Sequence, residues 1–194
     1  MRPLSILKRS ALFSAICVLA PGTAAYGQSY DGAPEVHAQK GPDSSAVVDA
    51  AFDIHAAPSA VWSTLIDCTN ATRFMPKLIS CRVLQTGPGD RWEIREHRLK
   101  GGLFKPQMRN VFRADFTPDR KLSFHRIDGD WKTSEGVWTL SPIDGGRGTH
   151  VTYHTEVAVD GPVPEGLLQS AVAKGAPEAM EALRREVMSR AHGH

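Results

Sequence analysis

The apolar periodicity changes from about 3.6 residues to 2 near Leu78, and this change constrains the fold more than any other feature. Beyond that point, six segments alternate apolar and polar residues, separated by short turn sequences rich in Gly, Pro and Asp. The predicted strands cover 79–86, 91–99, 106–117, 121–128, 134–142 and 149–159. Six strands joined by short connections favour an antiparallel meander.

One long helix is predicted after the strands. Residues 164–190 are rich in Ala, Leu, Glu and Arg, and their apolar residues recur at helical spacing. Gly175 and Pro177 predict a kink or a break inside this helix. Because an antiparallel sheet with one amphipathic helix needs that helix to cover a face, the expected class is α+β.

The segment before the meander predicts a further strand and two short helices. Residues 47–55 alternate loosely, which brings the expected sheet to about seven strands. A helix is expected to begin near Ala57-Pro58-Ser59, where Pro is tolerated in the first turn. A second short helical segment is expected over about 70–77, with its helical pattern broken near Pro76.

The N-terminus has the anatomy of a secretory signal peptide. Residues 1–9 are basic, residues 10–20 are apolar, and Ala25-Tyr26-Gly27 offers a cleavage site before Gln28. A membrane anchor is the alternative, but such an apolar run rises only about 16 Å as a helix, against a hydrocarbon core of roughly 30 Å. We therefore expect residues 1–27 to be removed and the product to be exported, to the periplasm in a Gram-negative host.

Export bears on the charge balance and on the cysteines. The 23 Lys and Arg residues exceed the 21 Asp and Glu residues only because three of the bases lie in the leader. The mature chain therefore has no large basic field, which argues against a nucleic-acid partner. Two cysteines remain, Cys68 and Cys81, and an oxidising compartment favours a disulfide between them over two separate buried thiols.

The mature chain divides into three parts. Residues 28–45 are polar and rich in Gly, Pro and Ser, which predicts a flexible linker. The folded domain is expected over 46–190, and residues 191–194 are expected to be a disordered tail.

Three motifs identify a resemblance to a known superfamily. They are I-x-A-x-P-x-x-V-W from Ile54, Phe74-Met75-Pro76, and G-x-W-x-L-x-P from Gly136. Over residues 46–190 the chain resembles the START-like (SRPBCC) superfamily, in its branch of polyketide cyclases/dehydrases and coenzyme-Q-binding proteins. The resemblance implies a helix-grip fold, in which a curved sheet wraps the C-terminal helix. It also implies an apolar cavity between them that holds a lipid, sterol, quinone or polyketide.

Strand periodicity suggests which side chains would face such a cavity. Several apolar strand faces carry isolated polar groups, and these would pair with one another or fix the polar head of a ligand. The candidate ligand-binding residues are Trp92, Glu96, Asn110, Phe112, Phe124, Arg126, Trp138 and Tyr153, with Leu168 and Val172 from the helix.

Two details of this assignment are open to test. One interpretation pairs Glu96 with Arg126, and the alternative is a β-bulge that places Glu96, Arg98 and Arg126 in solvent. His97 and His125 lie opposite the apolar positions of their strands, so both are expected outside.

The sequence predicts no metal, cofactor or catalytic motif. His150 and His154 stand four residues apart in a strand, about 13 Å, which is too far to share an ion. Serine-nucleophile, Walker and dinucleotide-binding motifs are not found in the sequence.

The leading functional hypothesis is an exported carrier of a hydrophobic small molecule. The alternatives are a cyclase or aromatase acting on a polyketide-like ligand, with Glu96, Arg126 or Tyr153 as its acid or base, and an envelope interaction module with a collapsed cavity. The segment 100–105 combines Leu103 and Phe104 with two lysines, which suggests a transient membrane contact as an alternative to a plain loop. No oligomeric state is predicted.

Overall fold

The computed structural model describes residues 30, 32–102, 105–161 and 166–192. These residues form eight strands and two α-helices. In chain order they are β1 (Glu35–Lys40), β2 (Ala46–Ile54), α1 (Pro58–Leu65), β3 (Leu78–Thr86), β4 (Trp92–Gly102), β5 (Lys105–Thr117), β6 (Lys121–Gly129), β7 (Trp131–Ile143), β8 (Gly148–Val159) and α2 (Leu167–His192). The predicted signal peptide, together with Leu103 and Phe104 of the predicted membrane-contacting segment, lies outside the described residues.

All eight strands belong to one curved antiparallel sheet in the order β1-β2-β8-β7-β6-β5-β4-β3. Strands β3 to β8 follow one another as the predicted meander. Strand β2 pairs with β8, so the N-terminal strands extend the sheet beyond the last strand of the chain. The expected α+β class is confirmed, with eight strands instead of about seven.

The additional strand, β1, lies in the segment expected to be a linker. Residues Glu35–Lys40 pair in antiparallel register with Ala46–Ala51 of β2. The composition concealed this strand because an edge strand needs only one partner and is commonly protected by charged side chains. The expectation of a linker over 28–45 therefore does not hold for residues 35–40.

The second predicted short helix is only a 3-10 turn, Ala71–Arg73. Pro76 explains the difference, because a proline disfavours helical backbone at the residue before it. Lys77 then adopts a left-handed conformation, with φ of 68°, and the chain enters β3.

The C-terminal helix differs from expectation at both ends and in its middle. It begins at Leu167 and continues through Pro177, so of the predicted kink or break, the break is absent from the helix as described. It also reaches His192, within the segment expected to be a tail. An interior proline removes one hydrogen bond, and the buried side chains of Met180, Leu183 and Val187 hold the helix on the sheet beyond it. Neither described helix is long and apolar enough to cross a membrane.

The core is built between α2, α1 and strand β2. Burial alternates strictly along β2, with Ala46, Val48, Ala50, Phe52 and Ile54 buried. These side chains therefore share one face of the sheet, called here the inner face, which is the face that α2 covers. Each large apolar side chain buried there contributes roughly 1.5–3 kcal/mol.

The predicted disulfide joins Cys68 to Cys81 in the structure. It connects the segment after α1 to strand β3, with the two Cα atoms 5.3 Å apart. Asp67, next to this bridge, accepts a hydrogen bond from Arg190 of α2 at 2.9 Å. Burial opposes its ionisation, but hydrogen bonds from Asn70 and Arg190 keep the pKa of Asp67 below its ordinary value.

Candidate ligand-binding cavity

A cavity of about 340 Å³ lies between the inner face of the sheet and α2. This volume falls at the lower end of the roughly 300–1,000 Å³ that is usual for sites of drug-sized ligands. The helix contributes mainly small side chains: Ala171, Val172, Gly175, Ala176 and Ala179. Because these side chains are short, the helix can cover the sheet without filling the space between them.

Six of the ten predicted ligand-binding residues line this cavity. They are Asn110, Phe112, Phe124, Trp138, Tyr153 and Val172. The other four, Trp92, Glu96, Arg126 and Leu168, are not among the lining residues. The apolar faces of β5, β7 and β8 were therefore placed correctly, whereas β4 was not.

Strand β4 presents the opposite face from the one predicted. Residues paired directly across an antiparallel sheet lie on the same face, and Phe112 pairs with Arg95. Asn110 likewise pairs with His97, and both Arg95 and His97 line the cavity. The expectation that His97 lies outside is thus wrong, since it is 8% exposed. His125 is exposed, as expected.

Trp92 was misleading because its large side chain is covered on the outer face. It pairs with Asp115, and the Arg113 guanidinium lies 4.3 Å from the centre of its ring. A cation–aromatic contact of this kind shelters an aromatic side chain without any helix above it. Apolar character alone therefore does not identify the inner face of β4.

Glu96 and Arg126 do not pair in the structure. Glu96 accepts a hydrogen bond from Arg109 at 2.6 Å and another from Arg98 at 3.2 Å. The bond from Arg109 holds the pKa of Glu96 below its ordinary value. Arg126 instead donates to the carbonyl of Gly129 at 3.0 Å. The β5–β6 pairing has a register shift between Val111 and Phe112, but it does not place Glu96 and Arg126 in solvent. Glu96 is buried, and Nε of Arg126 is buried without a hydrogen-bond partner in the described residues, whereas Arg98 is exposed.

Leu168 lies one turn before the helix residues that face the cavity. The described lining begins with Ala171 and includes Val172. The apolar stripe of α2 therefore extends beyond the cavity at its N-terminal end.

Polar side chains from three strands meet on the inner face. Asn110 of β5 donates through Nδ2 to Oγ of Ser134 on β7 at 3.0 Å. A register shift between Trp131 and Thr133 places Trp131 on the cavity side with Ser134, although the two are an odd number of residues apart. His97 of β4 lies beside Asn110. We call His97, Asn110, Trp131 and Ser134 the polar cluster.

Three buried atoms of the polar cluster have no hydrogen-bond partner within the described protein. They are Nε2 of His97, Oδ1 of Asn110 and Nε1 of Trp131. Most buried polar atoms in proteins are hydrogen-bonded, and leaving a buried polar atom without a hydrogen bond costs about 1–3 kcal/mol. Three such atoms on residues that line one cavity indicate groups that a bound molecule or water would satisfy.

The environment of His97 favours its neutral form. The ring is buried and packs edge-on against Phe112, with 4.7 Å between ring centres. Burial, with a smaller contribution from the charge of Arg95, lowers the pKa of His97 to about 4. The imidazole is therefore neutral at physiological pH, and in that form it has one donor and one acceptor nitrogen.

Arg95 is a buried cation whose charge is already balanced. Its Nε donates to Glu93 at 2.7 Å, and its NH2 group donates to the carbonyl of Ile66 at 2.6 Å. These bonds also tie β4 to the end of α1. Arg95 therefore positions the sheet under the helix and has its main partners within the protein.

Aromatic side chains form part of the remaining cavity wall, together with aliphatic ones such as Val48, Leu99 and Leu122. Trp138 and Tyr153 stack with 4.0 Å between ring centres, and Phe112 meets Phe124 edge-on. Burial raises the pKa of Tyr153 to about 12, so its hydroxyl stays protonated at neutral pH. Gly136 makes the packing of these aromatic rings feasible, because a Cβ there would collide with the ring of Phe124 and with the carbonyl oxygen of His154.

Sequence reasoning missed several lining residues, above all Arg95, His97, Trp131 and Ser134. A usable signal existed for the first two. Two residues separate Gly102 from Lys105 in the β4–β5 hairpin, and counting back from this turn pairs His97 with Asn110. The placement of Trp131 depends on a bulge, for which we find no marker in the sequence.

The histidines outside the cavity do not form a metal centre within the described part of the chain. No group of three or more His, Cys, Asp or Glu side chains there is arranged to hold an ion. His150 contacts Asp53 at 2.6 Å, and His154 contacts Asp49 at 2.7 Å. The two histidines thus have separate carboxylate partners.

A curved antiparallel sheet, a long C-terminal helix and an apolar cavity between them define the START-like helix-grip class. The chain belongs to the family described as polyketide cyclase / dehydrase and lipid transport, whose model matches residues 54–184. A comparison with curated protein sequences found no match.

Solved structures with the same fold come from several functional settings. A START superfamily protein from Mycobacterium smegmatis is 14% identical, with a TM-score of 0.65 over 74% of this chain and 97% of that chain. The Zhui aromatase/cyclase from Streptomyces sp. R1128 is 15% identical, with a TM-score of 0.63 over 76% and 96%. A STAR-related lipid transfer protein from Xanthomonas axonopodis is 16% identical, with a TM-score of 0.62 over 79% and 98%. At these identities the likeness shows a shared fold.

Proposed function

We propose that the mature chain is an exported carrier of a hydrophobic small molecule, such as a lipid, quinone or isoprenoid, bound between the sheet and α2. The observation that carries this proposal is the cavity of about 340 Å³, lined mainly by aromatic and aliphatic side chains. Each CH₂ group removed from water contributes about 0.8 kcal/mol, so an apolar cavity binds such a ligand without any chemistry.

The family supports this function. Its description includes lipid transport, and the structurally similar protein from Xanthomonas axonopodis is titled a STAR-related lipid transfer protein. The Streptomyces aromatase/cyclase shares the fold too, so fold alone does not separate transport from catalysis.

The titratable groups of the cavity favour binding over catalysis. General acid–base catalysis works best with a pKa near the working pH. His97 titrates at about 4 and Tyr153 at about 12, so each keeps one protonation state at neutral pH. Glu96 and Arg126, the other acid–base candidates of a cyclase, are not among the lining residues. The open volume also argues against an interaction module with a collapsed cavity.

Two features support export to the periplasm. One is the signal-peptide pattern of residues 1–27. The other is the disulfide between Cys68 and Cys81, since stable disulfides form chiefly in oxidising compartments.

Cavity filling tests the carrier proposal. Ala179 lines the cavity, so Ala179→Phe should occupy ligand space. Ala173 is exposed on the same helix and is not a lining residue, so Ala173→Phe adds the same side chain as a matched control. Each protein would be purified from the periplasm of its own host, weighed by native mass spectrometry, and extracted for lipid analysis.

We expect one apolar molecule per chain in the wild type and in Ala173→Phe, and its loss in a folded Ala179→Phe variant. A folded Ala179→Phe variant that retains the same molecule would contradict the cavity as the binding site. The measured mass should correspond to a chain that begins at Gln28, and an intact leader would contradict export.

A further inference from the structure

The polar cluster indicates what kind of head group the ligand carries. Building on the proposed function, we propose that the ligand has one uncharged hydroxyl, of the phenol or alcohol type, which hydrogen-bonds to Asn110 and Trp131. The rest of the molecule would lie against the aromatic walls of the cavity.

The unpartnered atoms match a hydroxyl in number and kind. Oδ1 of Asn110 only accepts hydrogen bonds, and Nε1 of Trp131 only donates them. A hydroxyl donates one hydrogen bond and accepts up to two. Its bonding capacity therefore matches both an acceptor such as Oδ1 of Asn110 and a donor such as Nε1 of Trp131, and both residues line the cavity. The neutral His97 ring offers a further site next to Asn110.

A group with only one hydrogen-bonding role fits less well. An ether or a carbonyl accepts from Trp131 but leaves the Asn110 oxygen without a donor. A hydrocarbon leaves both atoms unsatisfied. Since an unmet buried polar atom is costly, each of these head groups should bind more weakly than a hydroxyl.

The charges around the cavity disfavour an ionised head group. Arg95 is buried, and its charge is balanced by Glu93 at 2.7 Å. The other charged lining residues, Lys77 and Glu178, are exposed and belong to the rim. Arg126 pairs with Phe112 on the inner face and its buried Nε has no hydrogen-bond partner in the described residues, but Arg126 is not a lining residue. A carboxylate or phosphate at the polar cluster would thus be desolvated without an available cation among the described lining residues, which costs several kcal/mol.

The volume also limits the ligand. At about 340 Å³, the cavity suits one ring system or one short chain more than a lipid with two acyl chains. The inference therefore points to a small neutral alcohol or phenol with an apolar body.

Four probes with the same apolar body test the head group directly. They are para-butylphenol, its methyl ether, butylbenzene and para-butylbenzoate, titrated into the full mature protein at neutral pH. Trp131 and Trp138 line the cavity, so intrinsic tryptophan fluorescence reports occupancy, with calorimetry as a second readout.

We expect the phenol to bind about tenfold more tightly than the ether or butylbenzene, the difference typical of one or two hydrogen bonds, and the benzoate to bind most weakly. In Asn110→Leu and Trp131→Phe, the affinity for the phenol should fall to that for the ether, while the affinity for butylbenzene should not fall. Trp138→Phe lies outside the polar cluster and should affect all four probes alike.

The outcomes separate this inference from the proposed function. Equal affinity for all four probes, or tightest binding of the benzoate, would overturn the hydroxyl assignment and leave a hydrophobic carrier. Failure of every probe to bind would contradict both. If Asn110→Leu proves unfolded by circular dichroism, Trp131→Phe decides alone, because it keeps an aromatic ring while removing the donor, and butylbenzene reports the effect of the smaller ring.

Discussion

At the scale of single residues, His97 is the side chain whose position matters most. It is buried against Phe112 and beside Asn110, and one of its nitrogens has no partner in the described protein. A solvent-exposed histidine side chain has a pKa of about 6.5, whereas burial lowers the pKa of His97 to about 4. The folded state therefore binds fewer protons than the unfolded state between these two values.

This difference predicts how stability depends on pH. The contribution of neutral His97 is present in full above about pH 6.5, and it is lost as the pH falls toward 4. At about pH 4.5 the free energy of unfolding should be lower by about 2–3 kcal/mol than at about pH 7.5. His97→Gln should remove most of this loss, as measured by urea denaturation at both pH values.

His125 provides the matched control for that experiment. It is exposed on β6, so His125→Gln should keep the wild-type dependence on pH. The carboxylates whose pKa values are lowered, such as Glu96, lose their contribution only below their ordinary values, in the more acidic range. An unchanged pH dependence in His97→Gln would show that His97 is not buried in its neutral form.

At the scale of elements, the corner between α1 and β3 holds one end of the cavity in place. The disulfide of Cys68 and Cys81 joins the two segments. Arg190 of α2 reaches the same corner through Asp67, and it also bonds Glu186 at 2.9 Å. The covalent bridge and the ion-pair network therefore connect α2 to the sheet beyond the core.

Removing the disulfide should lower stability by an amount set by the size of its loop. The bridge closes about 14 residues, for which chain entropy predicts about 3 kcal/mol. We expect the double variant Cys68→Ser, Cys81→Ser to unfold at a correspondingly lower urea concentration.

Wild-type protein in reductant serves as the control for the double variant. It should match the double variant, which itself should not respond to reductant. Equal stability of the oxidised wild type and the double variant would contradict a stabilising bridge.

The two halves of α2 have different tasks. Its C-terminal half carries Met180, Leu183 and Val187 into the core. Its N-terminal half presents small side chains to the cavity, including Ala171 and Gly175. Because it buries less apolar surface, this half of the helix should be locally less stable than the other.

At the scale of the whole molecule, the open cavity lowers the stability of the protein while it provides space for binding. Space that a better-packed core would fill is kept open, and buried polar atoms on its lining residues have no hydrogen-bond partners in the described part of the chain. A bound ligand supplies both missing kinds of contact. Stability should therefore depend strongly on occupancy.

Ligand-linked stability provides a test at this scale. At a free concentration of about 100 times its Kd, para-butylphenol should raise the free energy of unfolding by about 2.7 kcal/mol. Ala179→Phe, which fills the same space, should show no such increase in thermal or urea unfolding. A similar increase in that variant would place the probe outside the cavity.

Much of the fold could be predicted from local patterns. The alternation of Gly136, Trp138 and Leu140 identifies an inner face of β7, and the same reasoning places Phe112 on that of β5. Helical spacing identifies α2, and the two cysteines that follow the predicted leader predict the disulfide. These features depend on periodicity and residue type, which are properties of the sequence itself.

The polar cluster was decided only by tertiary structure. Trp131 reaches the cavity through a bulge between Trp131 and Thr133. A bulge reverses the alternation that a strand pattern assumes. His97 and Asn110 become neighbours only when β4 and β5 pair, so their chemistry is invisible in either strand alone. Local periodicity thus determined the frame of this protein, whereas strand register decided which polar atoms face the cavity.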